Sequence, residues 1–143
     1  MNLLNLIGKT HHLHIEGRKF DFFNPDFQLE MGAGSIVLAM CALEQIGQKH
    51  GKFLEFLLQK SPDLFINMEP LHEFYDKTNL VDYLAMGYHF GREYLTGYLT
   101  SLRQLEAEKK IEILQVQRPH FGSLYHEGYS FVVWRPLKYG TRT

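Results

Sequence analysis

The chain has a single cysteine, Cys41, among its 143 residues. No disulfide can form within it, and a reducing compartment is the expectation rather than export. Its apolar runs stay well short of the ~18 residues needed to span a bilayer. The first nine residues lack the basic start and long apolar stretch of a signal peptide. Fifteen Lys and Arg against sixteen Asp and Glu leave a formal charge of −1. A nucleic-acid or anionic-membrane partner wants a basic face, so neither is expected. The most telling lack is a strand followed by a Gly-rich loop that opens a helix, the arrangement that cradles phosphates. Gly32-Ala33-Gly34 precedes a strand instead of following one and reads as a turn. What remains is one globular domain over residues 1–143, expected in the cytoplasm, with 45% apolar residues to build a core.

What is present is a strand pattern used twice. Residues 35–40 are apolar on both faces and lead into Cys41-Ala42-Leu43-Glu44-Gln45. Residues 64–68 do much the same and stop at Glu69-Pro70. Between them, Leu43, Ile46, Phe53, Leu54, Leu57 and Leu58 recur at roughly helical spacing, with Gly47 and Gly51 weakening the start of that helix. Two buried strands joined by a helix read as parallel neighbours, and ligands bind at the carboxyl ends of such strands. Glu44 and Glu69 are therefore expected at one edge, above the sheet.

Around this pair, residues 2–7 look like the tail of a helix stopped by Gly8. Residues 12–15 and 19–23 are short strand candidates, and Asn24-Pro25-Asp26 ends the second. Asn79 caps a helix expected to run from Leu80 to about Lys109, with Leu80, Tyr83, Leu84, Tyr94, Leu95, Tyr98, Leu99, Leu102 and Leu105 as its buried stripe. Gly87, Gly91 and Gly97 favour a kink or break in its middle. Residues 111–116 and 129–134 are two closing strands, and the connector between them suits an antiparallel pair.

An antiparallel strand inserted beside a parallel sheet resembles the class I S-adenosylmethionine-dependent methyltransferases. Phe20-Asp21-Phe22-Phe23-Asn24-Pro25-Asp26 resembles the segment where an acidic residue and a following hydrophobe flank the adenine, which implies Asp21 and Phe22 as cofactor-binding residues. Ala42-Leu43-Glu44-Gln45-Ile46-Gly47 resembles the motif after that family's fourth strand, which implies Leu43 and Glu44 at the cofactor floor. Glu69-Pro70 ends the counterpart of the fifth strand. Residues 121–130 and Trp134-Arg135-Pro136 look like the terminal hairpin of a bacterial subgroup acting on sugars or cell-surface glycans. The resemblance covers residues 18–136. It implies an α/β fold with a partial Rossmann-like sheet, parallel strands with a terminal antiparallel hairpin, S-adenosylmethionine as cofactor, and a small-molecule or glycan acceptor. The family's opening strand, Gly-rich loop and second strand have no counterpart here. The expectation is a C-terminal portion with little activity alone, whose open sheet edge invites a second copy or a complementing chain. A noncatalytic α/β domain that oligomerises or binds a partner through that edge is the alternative. The packing of residues 1–17 is left open.

Methyl transfer needs a nucleophile positioned in line with a sulfonium, plus a base where the nucleophile is a hydroxyl. Glu69 and His126 are the expected catalytic groups. His72, His89, Arg92 and Glu127 are the expected substrate contacts; His89 and Arg92 lie three apart on one helix face. Arg118 and Arg135 are read as solvated or ion-paired. His11, His12 and His14 invite a metal reading, but no cysteine or acidic cluster stands beside them to complete a ligand set. Cys41 reads as an inert strand-end thiol.

Overall fold

The fold is taken from a computed structural model, which describes residues 3–119 and 129–137. It is α/β, with an open, mixed sheet of four strands. In chain order the elements are α1 (Leu3–His11), β1 (Ile36–Met40), α2 (Gly51–Lys60), β2 (Leu64–Glu69), α3 (Leu80–Gly91), α4 (Tyr98–Ala107), β3 (Ile111–Gln117) and β4 (Ser130–Pro136). The spatial order is β1-β2-β4-β3. β1 and β2 run parallel, with Ile36 opposite Leu64 and Met40 opposite Met68. β4 lies between β2 and β3 and is antiparallel to both. The paired strands and the closing hairpin stand where the apolar patterning put them.

Alternation along β2 and β4 fixes which face is buried. Phe65, Asn67 and Glu69 of β2, with Ser130, Val132 and Trp134 of β4, point under the helices. α2 brings Phe53 against Phe65, with ring centroids 5.7 Å apart, and Phe65 lies 5.2 Å from Trp134. α4 adds Tyr98, Leu99 and Leu102. Asn67 Oδ1 accepts both the Tyr98 hydroxyl at 2.7 Å and the Trp134 indole N–H at 3.2 Å, so the polar tips of two core aromatics are satisfied by one amide oxygen. On the opposite face of β1, Ile36, Leu38 and Met40 remain 63%, 59% and 55% exposed. Among the described residues β1 pairs with no strand on its outer side.

Four expectations need correction. Gly8 does not stop the first helix; it lies inside α1, where the returning chain crosses so closely that a Cβ there would sit 2.8 Å from the Ile15 carbonyl oxygen. The helix ends instead at His11, where His12 follows with φ of +54°. Residues 12–15 and 19–23 form no strand. Asp21 Oδ1 draws in the N–H groups of Phe23 and Asn24 to bend the backbone, and Phe20 and Phe22 pack edge-on against Phe53. The helix expected from Leu43 divides into a 3-10 turn, Leu43–Ile46, and α2. Gly47 separates them with φ of +58°, and a Cβ there would meet the Glu93 carbonyl oxygen at 2.9 Å.

The long helix breaks in its middle, as its glycines favour, after Gly91 and resumes at Tyr98; the fourth correction concerns its expected buried stripe. Glu93 and Gly97 take left-handed conformations between the two halves. Asn79 caps α3 as its sequence position implies, accepting from the Val81 and Asp82 N–H groups. Leu80, Tyr83 and Leu84 are exposed, while Asp82, Ala85 and His89 are buried. Polar contacts turn this face inward. Asp82 is drawn to Arg118 and His89 to Tyr75, so the apolar stripe of α3 is left outside.

Candidate functional site

The site grows from the carboxyl ends of β1 and β2. β1 ends at Cys41, whose φ of +53° turns the chain sharply and whose N–H reaches the Met68 carbonyl at 3.1 Å. The turned backbone presents three N–H groups in succession to the carboxylate that ends β2. Glu69 Oε1 accepts from Ala42 and Leu43 at 3.0 Å each, and Oε2 accepts from Glu44 at 3.2 Å. Glu69 has no exposed surface. Burial pushes its carboxyl up, opposed by the three N–H bonds. The structure therefore places Glu69 as a clamp that fixes the turn after β1 on the end of β2.

Glu44, 8% exposed, stands at the same edge. Its Oε1 accepts the Gln45 amide at 2.9 Å, and its Oε2 is buried without a hydrogen-bond partner. Its backbone carbonyl takes the Leu95 N–H at 3.0 Å and ties the turn to the α3–α4 connection. Tyr129, just before β4, has its hydroxyl pushed up to about 12, first by contact with the Cys41 thiol, then by burial and by the Glu44 and Glu69 carboxylates.

Two adjoining cavities, each of about 480 Å³, open where residues following β1 and β2 meet the α3–α4 region; Gln48, Phe90 and Thr96 line both. The first is bounded by His50, His72, Glu73 and Ser101. His50 Nε2 lies 3.0 Å from Ser101 Oγ, and burial lowers the imidazole's affinity for a proton. Glu73 Oε1 accepts the Leu99 N–H in the first turn of α4 at 3.0 Å, and Oε2 lies 3.1 Å from His72 Nδ1. Burial pushes the Glu73 carboxyl up, but His72 and the backbone N–H groups together outweigh it and hold the group below the usual carboxylate range.

The second cavity is bounded by Phe23, Gln45, His89, Arg92 and Tyr94. His89 is held among the Tyr75, Tyr88 and Tyr94 rings, with its Nε2 3.3 Å from the Tyr75 hydroxyl. Arg92 lies over the Tyr88 ring, 5.1 Å from its centroid.

The expected substrate contacts His72, His89 and Arg92 thus line this pair of cavities. Of the expected cofactor residues, Glu44 stands at the strand edge, whereas Leu43 is a core residue with no exposure. Phe22 packs on Phe53, 4.9 Å between centroids, and the Asp21 carboxylate is engaged by backbone N–H groups. Phe23, next in the chain, lines the second cavity beside Gln45 and so brings this segment up to the turn after β1. His126 and Glu127 lie outside the described residues. Arg118 and Arg135 are ion-paired, with Asp82 and Glu112 respectively. Among the described residues no group of three or more His, Cys, Asp or Glu is arranged to hold a metal ion, and no helix is long and apolar enough to cross a membrane.

His50, Glu73 and Ser101 were not singled out in the sequence. His50 reads as helix interior until Gly47 breaks that helix, and Glu73 caps α4 at Leu99, 26 residues downstream, beyond the reach of any local capping pattern. No protein-family model, curated protein or solved structure matches the chain.

Proposed function

We propose that the chain is the substrate-side, C-terminal portion of an S-adenosylmethionine-dependent methyltransferase with little activity alone. The observation that carries this reading is topological. A parallel pair joined by a crossover is followed by a strand inserted antiparallel between β2 and β3, and this order is what supports reading the sheet as part of a Rossmann-like one with a terminal hairpin. The two cavities at the carboxyl ends of the parallel pair supply a place for an acceptor. In this reading Glu69 acts through position, holding the Ala42, Leu43 and Glu44 backbone as a floor. His72, partly exposed on a cavity wall and held by Glu73, is better situated than Glu69 to receive a proton from a hydroxyl. S-adenosylmethionine supplies an activated methyl group when bound; Glu44 and the turn it begins are this chain's contribution to that pocket.

The second reading, an α/β domain that binds a partner or a second copy, is favoured by β1 itself. Among the described residues its outer edge has no pairing strand, and one face carries exposed Ile36, Leu38 and Met40. The readings meet if the missing cofactor loop is carried by whatever covers that edge.

Calorimetric titration with S-adenosylhomocysteine, with solution mass measured alongside, tests both. Micromolar binding accompanied by a dimer supports a pocket completed across an interface. No heat at millimolar ligand, with a stable oligomer, favours the second reading. An in-frame Gly-rich strand-loop-helix in the coding DNA just upstream supports the first, and its absence together with no binding rejects it.

A further inference from the structure

The first cavity carries a set of polar groups whose partners are only half supplied. His50, 6% exposed, offers Nε2 to Ser101, while its Nδ1 meets no partner in hydrogen-bonding geometry, although the Gly47 carbonyl is close enough to favour a proton there. Glu73 is anchored on α4 through one oxygen, and its other oxygen faces His72 Nδ1. That 3.1 Å contact lies outside hydrogen-bonding geometry, so Glu73 Oε2 and His72 Nδ1 are both left without a hydrogen-bond partner among the described residues, on side chains that line the cavity. Ser101 and Thr100 add hydroxyls and Gln48 an amide. Phe90, 57% exposed, contributes an apolar wall set edge-on to His72, with centroids 5.7 Å apart.

The charge of the lining narrows the ligand. Among the described residues no lysine or arginine lines this cavity, and the Glu73 carboxylate already occupies the N-terminal end of α4, where an anion would otherwise be welcome. An anionic ligand is therefore disfavoured. Groups that both donate and accept, grouped around one aromatic face, match a neutral molecule bearing several hydroxyls.

We propose that the cavity between the turn after β2 and the start of α4 binds a neutral polyhydroxylated ring, a sugar or cyclitol, with its hydroxyls pairing with the His72 imidazole and the Glu73 carboxylate and with Phe90 against the ring's C–H face. As the methyl acceptor's class and place, this rests on the methyltransferase reading; as a binding site it stands without it.

The test is an amide-shift titration of the full chain without cofactor, using methyl α-glucopyranoside and myo-inositol as probes and glucose 6-phosphate as the charged control. Saturable shifts are expected at the Glu73, Leu99 and Ser101 amides with the neutral probes, and weaker ones with the phosphate. Phe90→Ala, at an exposed position where folding is not at risk, and His72→Phe are each expected to weaken binding about tenfold, the scale of one lost contact. Absence of saturation with both neutral probes overturns the proposal, as do unchanged affinities in both variants or tighter binding of the phosphate. Sugar binding without S-adenosylhomocysteine binding leaves this site standing and the methyltransferase reading without support. The reverse result overturns this site alone.

Discussion

Arg118 and Asp82, 36 residues apart, meet in a bidentate pair, Nη2 to Oδ1 at 2.6 Å and Nη1 to Oδ2 at 2.9 Å. Both side chains are nearly buried. Arg118 Nη1 also donates to the Phe74 carbonyl, and its guanidinium lies over the Tyr75 ring. This pair fastens the end of β3 to the start of α3 and to the turn after β2, and so sets the frame in which His72 and His89 stand. Breaking a buried pair from one side strands the other charge. Asp82→Ala is expected to lower stability by about 3 kcal/mol, read by urea unfolding. Asp82→Ala with Arg118→Met is expected to recover part of that loss. A double variant whose loss equals the sum of the Asp82→Ala and Arg118→Met losses would show that the charge pairing contributes nothing beyond its separate contacts.

The clamp at Glu69 has a pH signature. Burial raises its carboxyl above the usual carboxylate range even with three N–H groups opposing. A carboxyl with a higher pKa folded than unfolded contributes stability that is fully present below the unfolded value and is lost as pH rises through the folded value. Glu69→Gln removes that titration, so the fall in stability across this interval is expected to flatten. The variant is also expected to lose about 1 kcal/mol at low pH, because an amide nitrogen replaces one acceptor oxygen facing the turn. Urea midpoints measured at steps of pH check both, and an unchanged slope assigns the titration to another group.

The sheet was legible and the site mostly was not, for a physical reason. A short run rich in apolar residues on both faces marks a strand locally, and residues 35–40 and 64–68 carry such runs, although β2 then buries the polar Asn67 and Glu69 with Phe65. Asn79 announced its helix because a capping side chain acts within three residues. The stripe of α3 misled because its inward face is polar, held by Arg118 and Tyr75 from distant segments. Phe20 and Phe22 look like strand residues, yet they pack on α2 as side chains without joining a ladder. His50, Glu73 and Ser101 come together only after Gly47 and Gly97 have redirected the chain, and no pattern confined to a few neighbours encodes that meeting.

His50 contributes on the acid side. Its burial holds the imidazole below its ordinary value, with the Glu73 carboxylate and the Gly47 carbonyl opposing. A depressed histidine contributes stability that is present above the unfolded value and lost as pH falls through the folded one. The chain is therefore expected to weaken as pH drops below the ordinary imidazole range, and His50→Gln to weaken less over that interval while keeping a polar group beside Ser101. Thermal midpoints across that range provide the readout. A parallel decline in both proteins would place the titrating group elsewhere.

The free edge of β1 makes the last prediction. Its backbone on the outer side pairs with no strand among the described residues, and Ile36, Leu38 and Met40 lie exposed along one face. A flat apolar edge of this kind templates pairing with another strand, and a lysine placed on it opposes that pairing by forcing charge desolvation. Leu38 is the middle of the three, so Leu38→Lys reaches the patch with the least disturbance of the strand ends. Because the side chain is already more than half exposed, the substitution is expected to change monomer stability by no more than about 0.5 kcal/mol. Light scattering is expected to show association in the parent chain and a monomer in the variant, with the thermal midpoint extrapolated to low concentration unchanged. Association that survives Leu38→Lys would move the interface away from β1, to the exposed Leu80, Tyr83 and Leu84 of α3, and would separate the partner-binding reading from the sheet edge altogether.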